Sequence, residues 1–134
     1  MAKKIFINLP VSDLKKEMEF YSKIGFTNNP TFTDDTAACM VLSEEIYVML
    51  LTHEKFSQFT GKKIIDPKTD IGVINSISVD SLDEVHTMAD AALNAGGGEP
   101  SELKDYGFMV QRSFTDLDGN HWEVVYMDMS QFPA

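Results

Sequence analysis

Internal repetition constrains this chain more than any other feature. The strand-like run Phe6-Ile7-Asn8-Leu9-Pro10-Val11 recurs as Ile74-Asn75-Ser76-Ile77-Ser78-Val79, an offset of 68 residues. Each run leads into a helix-forming stretch and then into further strand-like segments. A period this long fits twice into 134 residues. One strand–helix–strands copy alone would leave a sheet face open to water, so two copies are expected to join their sheets around a shared interior with the helices outside. The expected class is α+β, with two βαβββ repeats forming an open barrel around a small-molecule cavity in a single domain, residues 1–134. The first repeat is expected over about 3–52, a linker over about 53–71 and the second repeat over about 72–128.

Local chemistry supports that division. Residues 4–11 are rich in β-branched and aromatic side chains and end near a proline, as a strand does. Asp13 can cap the helix that follows, whose Leu14, Met18, Tyr21 and Ile24 are spaced to form one apolar stripe before Gly25. Strands are then expected over 30–34, 37–42 and 46–52, with turns at Asp34-Asp35 and Glu44-Glu45. The polar stretch that follows contains a short helix around 54–59. In the second copy, Ser81-Leu82-Asp83-Glu84 is a capping box. Leu82, Val85, Met88 or Ala89, and Ala92 form the inner face of that helix, and Gly96-Gly97-Gly98 ends it. Strands are expected over 99–103, 108–115 and 120–127, the last after the turn Asp116-Leu117-Asp118-Gly119.

Composition narrows the partners. The sequence has 43% hydrophobic and 24% charged residues, as a globular domain does, and lacks an apolar run of about 18 residues that would span a bilayer. The net charge of −10 opposes nucleic acid and anionic membrane surfaces. Cys39 is the single cysteine, which excludes an intrachain disulfide and a cysteine-based zinc cage. With no secretion-signal pattern at the amino terminus, the expected location is the cytoplasm.

Three groups of residues resemble the vicinal oxygen chelate superfamily of glyoxalase I, extradiol dioxygenases, and fosfomycin and bleomycin resistance proteins. They are Leu9-Pro10-Val11-Ser12-Asp13-Leu14 leading to Phe20-Tyr21-Ser22-Lys23-Ile24-Gly25-Phe26, then Ile77-Ser78-Val79-Asp80-Ser81-Leu82-Asp83-Glu84, then Phe114-Thr115-Asp116-Leu117-Asp118-Gly119-Asn120-His121-Trp122-Glu123. More narrowly, Asn8-Leu9-Pro10-Val11, Thr36-Ala37-Ala38-Cys39-Met40, Tyr47-Val48-Met49-Leu50-Leu51 and Asp105-Tyr106-Gly107-Phe108-Met109 resemble a bacterial branch labelled predicted lactoylglutathione lyase. The resemblance implies a glyoxalase-like cavity and a homodimer. It also implies metal ligands on the first and last strands of each half in metal-dependent members. Counted onto this chain, those positions fall at Phe6, Leu50, Ile74 and Glu123, of which only Glu123 can bind a metal. A lone carboxylate does not hold zinc, nickel or iron tightly. No cofactor is therefore expected, and the leading reading is a protein that binds or sequesters a small aromatic or amphipathic molecule. The alternative is a lyase, isomerase or extradiol dioxygenase in which nickel, zinc, iron or manganese acts with Glu123.

Strand alternation groups Phe6 with Asn8, and His121 with Glu123, on the cavity side. Glu123 in an apolar setting would suit general acid–base work, with His121 sharing a proton or holding the ligand; hydrogen bonding of Glu123 to Asn8 or Arg112 is the plainer alternative. Tyr106, Phe108 and Arg112 could receive a planar anion, unless Arg112 simply pairs with a neighbouring acid. Cys39 and Trp122 read as core packing, and Met40, Met49, Met109 and Met127 as core or as a soft ligand wall.

Overall fold

A computed structural model describes residues 2–131. The chain divides into two compact units, one ending at Asp66 and one beginning at Pro67. Each contains a four-stranded mixed sheet with a helix packed on it, so the fold is α+β.

In the first unit the order is β1 (Ile5–Val11), α1 (Leu14–Lys23), β2 (Thr27–Asn29), β3 (Ala37–Val41), β4 (Ile46–Thr52) and α2 (His53–Ser57). The sheet runs β1-β4-β3-β2, with β1 parallel to β4 and the other pairs antiparallel. Asp13 caps α1 by accepting the Lys16 amide, as its place before the helix leads one to expect. The buried side of α1 is turned from the expected stripe: Phe20, Tyr21 and Ile24 are buried, while Leu14 and Met18 stay half-exposed. Tyr21 packs edge-on against Phe20 and Phe26. Beneath them lie Leu9, Met40, Val48 and Leu50, which complete this core.

The strand expected over 30–34 is displaced. Residues 27–29 form β2, and Pro30–Phe32 is a 3-10 turn capped by the Asn29 side chain. Proline brings no amide donor to a ladder, whereas the first position of a helical turn needs none.

The second unit repeats the plan with β5 (Asn75–Ser78), α3 (Leu82–Asn94), β6 (Lys104–Asp105), β7 (Met109–Thr115) and β8 (His121–Met127), in the sheet order β5-β8-β7-β6. Ser81 caps α3 through the Glu84 amide. Val85, Met88, Ala89 and Ala92 are buried, while Leu82 is exposed. This core is centred on Trp122, which stacks nearly parallel to Phe114 with ring centres 6.2 Å apart. The strand expected over 99–103 is replaced by the two-residue β6 immediately after it. No helix among the described residues is long and apolar enough to cross a membrane.

Candidate functional site

Strand β8 alternates as its sequence requires. Trp122 and Val124 are buried against α3, and His121 and Glu123 project from the other face, both half-buried. Pairing with β5 sets Ser76 beside Glu123, and pairing with β7 sets Ser113 opposite it. Ser76 Oγ donates to Glu123 Oε1 at 2.8 Å, and Gln111 Nε2 donates to Oε2 at 3.2 Å. One residue further across the sheet, the Ser101 and Ser113 hydroxyls lie 2.8 Å apart. The face around Glu123 is thus a polar row crossing the sheet, where an apolar lining was expected. Among the described residues, Glu123 accepts from Ser76 and Gln111, while Arg112, the plainer alternative, pairs elsewhere.

Chemically, this is a carboxylate oriented by two neutral donors, with no ion pair among the described residues. Each carboxylate oxygen has two lone-pair sites, so both retain capacity for a donor on a ligand. The motif is fixed in place by strand register and needs no loop movement to form.

The first unit shows which residues occupy the equivalent level. Ser76 corresponds to Asn8 through the 68-residue repeat, and Asn8 pairs in register with Met49, which pairs with Cys39. In the first unit, Asn8 and Met49 therefore hold the ladder positions that Ser76 and Glu123 hold in the second. Leu50 is fully buried beside Leu9 on the helix side of β4. Phe6 shares a face with Asn8 but lies one pleat away, stacked on Tyr47 at 4.5 Å between ring centres. Ile74 precedes β5 and is exposed. Beside Glu123 the second unit offers a hydroxyl and an amide, which do not make the nitrogen-, thiolate- or carboxylate-rich set that zinc, nickel or iron requires. Among the described residues, no group of three or more His, Cys, Asp or Glu within metal-binding reach includes Glu123 or His121.

Arg112 lies on the opposite face of β7, buried against α3. Its Nε donates to Glu99 at 3.0 Å and its Nη1 to Asp90 at 2.8 Å, with His86 Nδ1 3.2 Å from the same Nη1. The Glu99 hydrogen bond raises the guanidinium pKa above its ordinary value against the opposing pull of burial. Arg112 thus faces its own acids, away from Glu123. Tyr106 and Phe108 sit at the β6–β7 hairpin, around Gly107 at φ +86°, rather than beside Arg112 on a wall. Cys39 is buried, and burial alone pushes its thiol pKa up, the opposite of an activated nucleophile.

The turn that opens β8 is built on one carboxylate. Asp116 Oδ1 accepts the amides of Asp118, Gly119 and Asn120, and Oδ2 accepts Asn120 Nδ2, all within 3.0 Å. Gly119 has φ +103°, and a Cβ there would meet the backbone of Pro67 and Lys68 at 3.0 Å. This close approach brings residues 67–71, expected to be linker only, to the rim of a cavity of about 630 Å³ that His121 also lines. Sequence reasoning placed Glu123 and His121 on one face but missed Ser76 and Gln111 as partners. The signal available was parity, which puts Ser76 of β5 and Gln111 and Ser113 of β7 on the face of Glu123.

No family model matches the sequence, and no curated protein does. Solved structures do. A hypothetical protein from S. aureus is 24% identical, with 94% of each chain covered and a TM-score of 0.78. A glyoxalase/bleomycin resistance protein/dioxygenase family enzyme from Burkholderia phytofirmans is 16% identical, covering 94% of this chain and 99% of the other, with a TM-score of 0.76. A genomically encoded fosfomycin resistance protein from Listeria monocytogenes is 16% identical, covering 94% and 91%, with a TM-score of 0.66. The chain shares the fold of these proteins.

Proposed function

We propose that this chain, which has the glyoxalase/bleomycin resistance/dioxygenase fold, binds a small organic molecule on the face of its second sheet opposite α3, with Glu123 as the polar anchor. The observation that carries this reading is the pair of hydrogen bonds from Ser76 and Gln111, which aim a carboxylate without neutralising it. Buried or half-buried polar groups are ordinarily paired with partners that match their charge. Here the matching donor is supplied by the ligand. His121, two residues away on the same face, adds an imidazole that can donate or accept. With a hydroxyl and an amide beside Glu123 rather than further metal-ligand side chains, the protein acts as a binder or sequestering protein.

Thermal-shift measurements with aromatic compounds that carry or lack a hydrogen-bond donor, on the wild type and on Glu123→Gln, test this reading. The expected result is a set of donor-bearing compounds that raise the Tm of the wild type and lose the effect in the variant. Stabilisation that is indifferent to Glu123 would overturn it.

A further inference from the structure

The cavity beyond the carboxyl end of α3 contains neither Glu123 nor its partners, yet its volume of about 630 Å³ is within the range of small-molecule sites. We propose that it is a second binding site, for small organic cations with a flat apolar body. This inference goes beyond the Glu123 reading and does not depend on it.

Shape and charge argue for that class together. The walls are partly apolar, from Pro100, Leu117 and Ile71, and partly backbone, from residues 96–98 where the chain leaves α3. Gly98 is held flat against β7 by paired backbone bonds with Thr115, and a Cβ on it would meet Thr115 Oγ1 at 2.8 Å. That stretch of wall is therefore backbone pinned against β7 and edged by the Thr115 and Leu117 side chains, a surface on which a planar group can lie. Helix α3 ends at this wall with no basic residue in its last turn, so the roughly half negative charge of its carboxyl end is not offset by a side chain of the helix. Asp70 brings a carboxylate to the lining beside Lys68, and the whole chain carries −10. The imidazole of His121, at the mouth, can accept a hydrogen bond from an ammonium group when neutral. An organic anion would meet a negative helix end, the Asp70 carboxylate and the field of a chain at −10; a cation meets all of them favourably.

The test is a two-dimensional amide NMR titration of the full chain with tryptamine and, separately, with indole-3-propionate, which has the same ring and the opposite charge. Both are repeated on Ile71→Trp, which fills the cavity from an exposed position, and on Asp70→Asn. Tryptamine is expected to shift the amides of Thr69, Gly98 and Leu117, and those shifts to report binding at least about tenfold tighter than that of the anion at low salt. Ile71→Trp is expected to weaken the binding read at these amides about tenfold, and Asp70→Asn to narrow the preference. Equal affinity for both probes, insensitivity to Ile71→Trp, or shifts confined to the amides of Ser76, Gln111 and Glu123 would overturn the proposal.

Discussion

Replacing Arg112 with Met separates a structural role from a ligand-binding one. The side chain is 10% exposed, with Asp90 61% and Glu99 29% exposed. The Asp90 pair lies largely in water and is worth at most about 1 kcal/mol. The bond to Glu99 is better shielded, and a charge-assisted hydrogen bond of this kind contributes about 1.5–3 kcal/mol. Methionine recovers part of the loss, because its thioether needs no desolvation of charge. The net destabilisation is about 2 kcal/mol, which lowers the Tm of a chain this size by roughly 6–8 °C. Differential scanning calorimetry measures it directly, and Glu99→Gln should lose part of the same increment. In the double variant the loss should be less than the sum, because the two residues share one interaction. An Arg112→Met protein that melts within about a degree of the wild type would refute this accounting.

Glycine positions give a second comparison. Gly119→Ala meets Pro67 and Lys68 backbone at 3.0 Å and should cost about 2–4 kcal/mol. Gly25→Ala has a similar φ, +118°, but nothing within 4 Å, and should cost about 1 kcal/mol, so thermal unfolding should rank the two clearly. On the acid side, the amide and hydroxyl of Thr36 lower the pKa of Asp34, and the hydroxyl and amide of Ser130 lower that of Asp128. Carboxyl carbon NMR titrations should give both midpoints below 3.8. A depressed folded-state pKa contributes stability that is present above the unfolded value and lost as pH falls through the folded one, so these two groups matter only in strong acid.

Much of the fold was legible because local and repeated signals agreed. Asp13 and Ser81 cap the helices their sequences announce, and residues 46–52 form β4 as expected. The site was harder to read, for a reason visible in particular residues. Val48-Met49-Leu50-Leu51 is apolar throughout, so alternation cannot show which of Met49 and Leu50 faces the helix; pairing with Asn8 and Leu9 decides it. Ile74 and Ser76 share a parity, so only the ladder to β8 shows that Ser76 is level with Glu123. Arg112 was ambiguous because a strand residue declares its face only relative to its neighbours. Once Phe114 packs on Trp122, Arg112 must face the same way and finds Asp90 and Glu99 there. The contribution of residues 67–71 to a cavity rests on the approach of Gly119, a long-range contact that composition does not encode.

Calorimetric titration of chelator-stripped protein with nickel, zinc, manganese and, anaerobically, ferrous ions is the most direct test of the central claim that Glu123 anchors an organic ligand without a metal. Glu123→Gln serves as the control. The account predicts no tight stoichiometric binding of any of the four ions in either protein. Sub-micromolar binding at one ion per chain, lost in Glu123→Gln, would contradict it and make a metal-dependent lyase, isomerase or dioxygenase the better description.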